Sequence, residues 1–329
     1  MPPVAVKYTV HFNQSTAVSP NAGVATATGT AYNATVSTGV SAPTGPFVSG
    51  TQVGVPTGTT LTTRTSLGSA TGSESYTITH PISGAQTTRT MSKWENIKFT
   101  QTFTVSPPAG QTYLFRNCRW EVDGTVWTVE VDQANGVADQ MLPVVVFDHC
   151  DFQGLGDSNA GVAGSFLWLV ACDIQGMTAS TPPSGAADGW DGAAYSVAID
   201  SNLVAGTNHN LPDPHSDGTQ CTGTGGITFY HCWCSAGGSD GANSAIRVGT
   251  EDGDVDAVEV YYCGLDDGGY AVQFRGDAAG GSRNITNVKF RGNRWTQTAV
   301  YGPTDFVRAA VTEWTDNAFQ DGTPIPDPT

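Results

Sequence analysis

Apolar and polar positions alternate in short segments along most of the chain, and these segments share one pattern. Each contains apolar residues, then a small Cys or Asn, one spacer residue and another apolar residue. Two clear copies are Leu114-Phe-Arg-Asn-Cys-Arg-Trp120 and Val146-Phe-Asp-His-Cys-Asp-Phe152. Alternating β-branched and aromatic residues, bounded by Gly, Asn or Asp, predict strands separated by turns.

The small residue of each copy marks a pivot position that recurs along the chain. Successive pivots are separated by 22, 32, 22, 30, 30, 31, 30 and 24 residues. Repeats of this length indicate a solenoid, and no helical stripe runs for three turns. We therefore predict an all-β fold, a single right-handed parallel β-helix of roughly nine coils. The predicted pivots are Asn96, Cys118, Cys150, Cys172, Asn202, Cys232, Cys263, Asn293 and Asn317.

Most of the seven Cys residues are explained by this one column. A pivot that points inward between stacked coils must be small and must tolerate burial. Cys behaves as a small hydrophobe, whereas Asn tolerates left-handed turn geometry and can bond to its neighbours in the stack. We expect buried thiols rather than disulfides or metal ligands.

The two ends of the chain differ from the repeats. Residues 1–55 are small and polar, with too few large apolar side chains to form a core. Their alternating Val and Thr residues would suit strand addition to another protein's sheet, and a flexible linker is the alternative. Residues 56–319 are assigned to the β-helix, and residues 320–329 form a Pro-rich tail that cannot join a sheet. We expect this tail to lie across the last coil or against a partner.

The chain is acidic, with 30 Asp and Glu against 14 Lys and Arg and a net charge of −16. This balance argues against binding to nucleic acid or to anionic membranes. The N-terminus lacks the basic and apolar segments of a secretory signal, and no apolar run has membrane-spanning length. We expect synthesis in a cytoplasm without a signal peptide and without membrane insertion.

The richest candidate chemistry follows the turn at Asp217, which leads into a strand carrying Gln220. Similar segments place Arg247 and Gln273 at separations of 27 and 26 residues, one coil each. These three side chains are predicted to form an outward column, with His215 and Asp217 beside it. Polar side chains stacked in this way can hydrogen-bond successive sugar units. The candidate glycan-binding residues are Gln220, Gln273, Arg275, Tyr230 and Tyr270.

Three segments carry a resemblance to known proteins. His215-Ser-Asp-Gly-Thr-Gln220 resembles a phrase of pectate-lyase-like right-handed β-helix proteins. The leader Ala25-Thr-Ala-Thr-Gly-Thr-Ala-Tyr-Asn-Ala-Thr-Val36 and the ending Asp321-Gly-Thr-Pro-Ile-Pro-Asp-Pro328 resemble minor tail proteins of actinobacterial (mycobacterial) phages. The resemblance implies a virion component, a minor tail protein or tail spike that presents a β-helix to a host cell-surface polysaccharide. It also implies a homotrimer and docking to other virion proteins through the N-terminal extension.

Two alternatives to glycan binding remain open. In a polysaccharide lyase, His215 would be the base, and Arg247 or Arg275 would neutralise the developing enolate. In a glycoside hydrolase, Asp217 would need a second carboxylate. The candidates for that second carboxylate are Asp240, Glu251, Asp266 and Asp267. A purely architectural virion protein without a ligand is the other alternative.

Acidic loops offer candidate metal sites. Glu251, Asp252, Asp254 and Asp256 could supply oxygen ligands to Ca²⁺, as could Asp266 and Asp267. Their spacing is not that of an EF-hand, and a solvated acidic loop explains the same residues. No cofactor is required for the binding function.

Overall fold

The computed structural model describes residues 24–27, 30–33, 53–122, 127–131, 145–154, 160–175, 188–192, 195–206, 216–222, 225–237, 243–277 and 283–328. Two of the candidate catalytic residues, His215 and Asp240, lie outside these ranges. Every element of the described chain is a β-strand. Within it, no helix has the length and apolar character needed to cross a membrane.

The predicted fold class is confirmed, because the described strands wind as a parallel β-helix with three sheets. Each coil contributes one strand to sheet A, then one to sheet C, then one to sheet B. Within these sheets every pairing is parallel except that of β4 with β5. In the N-terminal extension, β1 (Val24–Ala27) pairs with β2 (Thr30–Asn33) as an antiparallel hairpin.

Apart from the hairpin β4–β5, neighbouring strands of a sheet come from successive coils. Sheet A contains β3 (Thr62–Arg64), β6 (Ile97–Phe99), β9 (Arg119–Val122), β12 (Asp151–Gly154), β15 (Asp173–Gln175), β18 (Asn202–Val204), β21 (Trp233–Ser235), β24 (Gly264–Asp266), β27 (Arg294–Trp295) and β30 (Ala318–Phe319). Sheet B contains β4 (Gly72–Thr79), β5 (Gln86–Glu95), β8 (Tyr113–Arg116), β11 (Val145–Asp148), β14 (Leu167–Val170), β17 (Ser196–Ile199), β20 (Ile227–Tyr230), β23 (Val255–Tyr261), β26 (Ile285–Arg291) and β29 (Ala309–Thr315). Sheet C contains β7 (Thr104–Val105), β10 (Trp127–Val131), β13 (Ala160–Gly164), β16 (Asp188–Asp191), β19 (Asp217–Cys221), β22 (Ser244–Gly249), β25 (Tyr270–Arg275) and β28 (Gly302–Val307).

The core runs along the axis between the three sheets and is built from stacks of like side chains. Equivalent residues of successive coils lie one strand spacing apart, about 4.8 Å. Phe115 therefore stacks on both Trp94 and Phe147, with ring centroids 5.2 Å apart in each pair. Trp120 stacks on Phe152 at 4.8 Å. Each fully buried aromatic ring contributes roughly 2–3 kcal/mol, so these stacks stabilise the coils against separation.

The pivot column exists, but two of its predicted members are displaced by one residue. Cys118 lies opposite Ile97 rather than Asn96, because Lys98 pairs with Arg119. Cys172 lies opposite Ser201 rather than Asn202, because Asp173 pairs with Asn202. Ser201 is fully buried and its hydroxyl accepts from the Cys172 N–H at 3.1 Å. All seven Cys residues are buried free thiols, as expected.

A second column explains those displacements. The residue just before each pivot has a positive φ, which turns the chain from sheet B into sheet A. Asn and Gly adopt this conformation readily, whereas most other residues are strained there. The column consists of Asn96, Asn117, His149, Ala171, Asp200, His231, Tyr262, Gly292 and Asp316, with φ between 47° and 66°.

The segment 53–58 lies along the outer side of sheet A. The Gly54 N–H donates to the Ala171 carbonyl at 2.7 Å, and the Val55 N–H donates to Asp151 Oδ1 at 2.7 Å. Gly54 has a φ of 70°, and a Cβ at this position would lie 1.8 Å from Asp151 Oδ1. The open end of the first coil is covered by the loop at Leu67, which packs against the core.

The Pro-rich tail lies across the last coil, as expected. The Ile325 N–H donates to the Asn317 carbonyl at 3.0 Å, and Trp314 Nε1 donates to the Ile325 carbonyl at 2.9 Å. Ile325 is 4% exposed and belongs to the core cluster. The tail therefore covers the apolar C-terminal end without forming a strand.

The hairpin β4–β5 covers the outer face of sheet B. Its Tyr76 and Ile78 pack in a second hydrophobic cluster, separate from the core. The hairpin is held by Arg116, whose Nη1 donates to Glu74 at 2.8 Å, and the His80 ring lies 6.2 Å from the Trp168 ring. The sheet residues in this cluster are Leu114, Val146, Trp168, Val170, Val197, Ile199, Tyr230, Tyr261 and Tyr262. The expectation that Tyr230 binds a glycan is therefore wrong for this structure, because the hairpin cluster leaves it only 2% exposed.

Candidate functional site

The outer face of sheet C carries the predicted polar column. Gln220 lies opposite Arg247, which lies opposite Gln273 in the next coil. The register extends the column at both ends, to Asp191 and to Asp305. Since neighbouring strands are about 4.8 Å apart, one polar side chain is presented per coil at a regular interval.

The first residues of these strands form a second column on the same side of the sheet, and this column was not predicted. At Gly189 and Gly218, an added Cβ would approach carbonyl oxygens of sheet A, as close as 2.7 Å for Ser235. These glycines face the interior, and strict alternation is broken just after them, since Ala245 and Ile246 of a neighbouring strand both pack in the core. Asp217 lies on the side of Gln220, whose amide lies 3.3 Å from Asp217 Oδ2, and Asp188 accepts from the Asp217 N–H. The sequence signal is the repeated phrase Asp-Gly-x-polar, seen as Asp-Gly-Trp-Asp and Asp-Gly-Thr-Gln. Along the register, the column contains Asp188, Asp217, Ser244 and Tyr270.

Two buried carboxyl groups meet in this second column. The Asp217 N–H donates to Asp188 Oδ1 at 2.8 Å, and the two residues are 0% and 3% exposed. Burial raises the pKa of Asp217 to about 7, although the positive charge of Arg247 opposes the shift. Burial and then the charge of Asp217 raise the pKa of Asp188 well above its usual range. The pair therefore holds a proton near neutral pH.

The two columns are joined by hydrogen bonds across the face. In the amide orientation that satisfies both neighbours, Gln220 donates to Asp217 Oδ2 at 3.3 Å and accepts from Arg247 Nη1 at 3.1 Å. Arg247 Nη2 donates in turn to Glu251. Burial also raises the pKa of Asp191, which lies beside Gln220 in the column. Hydrogen bonds from Ser244 and Asn243 also oppose the rise in the pKa of Asp217.

The far end of the face is an exposed ion-pair network. Gln273 Nε2 donates to Asp305 Oδ2 at 3.1 Å. Arg275 donates to Asp277 at 2.8 Å and to Asp305 at 3.3 Å. Hydrogen bonding from Arg275 lowers the pKa of Asp277. Arg247 and Arg275 thus both lie against carboxylates, and neither offers an uncompensated positive charge.

The remaining candidate residues are not brought into this site. Asp266 lies on sheet A, where its Oδ1 accepts from Thr296 at 2.6 Å and from Thr298 at 3.0 Å. Asp267 follows it in the turn toward Tyr270. His215, the predicted base, cannot be placed because it lies outside the described residues.

The four carboxylates of residues 251–256 proposed for Ca²⁺ each have a different partner. Among the described residues, no group of three or more His, Cys, Asp or Glu side chains could hold a metal ion. The partners are Arg247 for Glu251, Thr222 for Asp252, the Asn284 N–H for Asp254, and Thr286 with Asn287 for Asp256. The contacts of Asp252, Asp254 and Asp256 link adjacent coils, whereas that of Glu251 lies within one coil. All four carboxylates thus have a role in the structure of the turns.

No protein-family model, curated protein or solved structure matches this chain. The fold is established as a parallel β-helix, and the resemblance to phage tail proteins stays a prediction from short motifs. The two columns on the outer face of sheet C are therefore the main structural indication of function.

Proposed function

We propose that this chain is a component of a phage tail that binds a cell-surface glycan along the outer face of sheet C without cleaving it. The observation that carries the binding proposal is the column of Asp191, Gln220, Arg247, Gln273 and Asp305, one residue per coil. A polysaccharide is a repeating ligand with hydroxyl groups at regular intervals, so a repeating row of donors and acceptors is complementary to it. Because the row is held by paired strands, little conformational entropy is lost on binding.

Binding fits this face better than β-elimination does. A lyase must neutralise the negative charge that develops next to a uronate carboxylate. Arg247 already binds Glu251, and Arg275 already binds Asp277 and Asp305. Breaking such pairs would leave a carboxylate without its partner, which opposes their use as electrophilic groups.

Acid–base hydrolysis is the second candidate function, and one specific observation favours it. The pKa of Asp217 lies at about 7, close to the value that suits a general acid at neutral pH. Asp188 and Asp191 provide further carboxyl groups on the same face. In a hydrolase, Asp217→Asn would abolish the release of new reducing ends, whereas a binding protein releases none before or after the change.

The tail assignment depends on the resemblance of the leader and of the C-terminal ending. The pairing of β1 with β2 supports it, because a hairpin of two strands can extend a sheet of a docking partner. Mass spectrometry of purified particles of the phage that encodes the chain tests this assignment. Sedimentation of the purified protein tests the expected homotrimer.

The binding proposal is tested with immobilised mycobacterial-type cell-wall polysaccharides. We expect the protein to bind and to release no product over the same incubation. Removing two hydrogen bonds in Gln220→Ala plus Gln273→Ala should cost about 1 kcal/mol each, which corresponds to about 30-fold weaker binding. Gln101→Ala, an exposed residue outside the face, is the matched control. Unchanged binding by the double variant, with folding intact by circular dichroism, would reject sheet C as the binding face.

A further inference from the structure

Two large apolar side chains stand out on the surface of the described chain. Tyr301 is 74% exposed and Val300 is 62% exposed. Tyr301 lies next to Tyr270, with ring centroids 5.7 Å apart and an angle of 48° between the planes. We infer that these two tyrosines form a stacking platform for an uncharged pyranose ring, a site that rests on the proposed glycan-binding function and defines its ligand class.

The platform is held rigidly for an exposed loop. The Tyr301 N–H donates to the Gly269 carbonyl at 2.7 Å, and the Val300 N–H donates to the Gly268 carbonyl at 2.9 Å. The ring of Tyr301 rests over Gly269, where an added Cβ would lie 3.3 Å from the ring. The Tyr301 ring is therefore held in position before a ligand binds, although most of its surface is exposed.

The platform lies beside the polar column, at the end of the second column of the same face. Tyr270 begins the strand that carries Gln273, and Tyr301 directly precedes the strand that carries Asp305. Gln273 lies three residues beyond Tyr270, about 10 Å along the strand, so one polymer chain can contact both the tyrosines and the Gln273–Asp305 pair. Amphipathic aromatic rings combine a broad apolar face with a polar tip, which matches the apolar face and hydroxyl rim of a sugar.

The charges of the face exclude anionic sugars. Arg275 is neutralised by Asp277 and Asp305, and Arg247 by Glu251. The chain as a whole has 16 more acidic than basic residues. On the described part of the two columns, Arg247 and Arg275 are already paired with carboxylates, so a uronate or phosphate-bearing polymer would meet a negative potential there, whereas a neutral polymer would not be repelled.

The test compares neutral and uronate polymers by affinity electrophoresis of the full chain. Neutral pyranose probes are glucan, mannan and xylan, and the uronate probes are polygalacturonate and alginate. We expect at least one neutral polymer to retard the wild type and the uronates to leave it unretarded. Tyr301→Ala should bind that polymer about tenfold more weakly, whereas Tyr301→Phe should stay within about twofold because it keeps the ring. Gln101→Ala should match the wild type, since it is exposed outside the face.

The other possible outcomes would reject the platform, the ligand class or the proposed function. If the wild type binds a neutral polymer and Tyr301→Ala binds it equally well, the platform is rejected while the proposed function stands. Preferential binding to uronates rejects the ligand class. If Tyr301→Ala changes the sedimentation of the unliganded protein and not its sugar affinity, the tyrosines form a subunit contact and the inference is overturned. A wild type that binds none of these polymers or the cell-wall polysaccharides overturns the proposed function and this inference together.

Discussion

Asn293 offers the sharpest test of how the pivot column stabilises the β-helix. It is fully buried, and both atoms of its amide are used. Its Oδ1 accepts from the Cys263 N–H at 2.8 Å, and its Nδ2 donates to the Val260 carbonyl at 2.8 Å and to Asn317 Oδ1 at 3.0 Å. The side chain therefore ties together three consecutive coils from inside the turn.

Asn293→Ala would leave the Cys263 N–H and the Val260 carbonyl buried without a partner. Each unsatisfied buried group costs about 1–3 kcal/mol, so the expected loss for the two groups is about 2–6 kcal/mol. Asn293→Cys should cost about half as much, because a thiol already serves this purpose one coil earlier. There the Cys232 N–H donates to Cys263 Sγ at 3.5 Å, and the same thiol donates to the Tyr261 carbonyl at 3.4 Å.

Urea unfolding followed by circular dichroism measures the free energy of unfolding of the wild type and of both variants. Because the coils of a solenoid can open separately from its ends, amide hydrogen exchange should accompany it and show the loss in residues 258–319. An alanine variant within about 0.5 kcal/mol of the wild type would refute the reasoning, since surface changes have effects of that size. A cysteine variant as unstable as the alanine variant would refute the claim that Cys and Asn are interchangeable at the pivot.

Three further substitutions test other parts of the structure. The pKa of Asp217 in the folded chain is about 7, above the ordinary value of 3.8. Its carboxyl therefore stabilises the fold fully only below about pH 4, and the stability falls as the pH rises to about 7. Asp217→Asn should make the urea midpoint less dependent on pH across this range, and an equal pH dependence of the midpoint in the two proteins would contradict the raised pKa. Gly54→Ala places a Cβ against Asp151 Oδ1, so we expect faster proteolysis of the chain before residue 59 and an unchanged melting temperature of the β-helix. An unchanged cleavage rate would show that the contact at Gly54 does not hold this segment. Ile325→Ala removes a core side chain at the C-terminal end. This change should lower the free energy of unfolding by about 2–4 kcal/mol and speed amide hydrogen exchange in the last coil. A loss below about 1 kcal/mol would mean that the tail does not close the core.

The repeat pattern was enough to predict the parallel β-helix and the outward column, because both follow from spacing. The separation of Gln220, Arg247 and Gln273 by one coil each places them in register regardless of turn details. The pattern was not enough to choose between adjacent small or polar residues at the turn. Asn96 fits the apolar–small–apolar frame, yet it takes the positive-φ position and leaves Ile97 to point inward.

The hairpin over sheet B was not predicted, although the sequence carries a signal for a covered face. Leu167-Trp-Leu-Val170 is apolar at every position, and such continuous runs are typical of strands buried on both faces. That signal, present also in the strand ending at Tyr230, could have shown that sheet B is covered on its outer side. The acidic pair was not predicted, because Asp188-Gly189 was not recognised as an in-register copy of Asp217-Gly218.

The side-on attachment of segment 53–58 also constrains the order in which the chain can be completed during translation. Val55 and its acceptor Asp151 are 96 residues apart in the sequence. At a synthesis rate of 5–20 residues per second, about 5–20 s must pass between the two. During that interval segment 53–58 has no partner at this position, because Asp151 has not yet been synthesised. An assembly partner that recognises this segment in its attached position can therefore bind only after the middle coils have formed, so the contact would make assembly depend on folding of the β-helix.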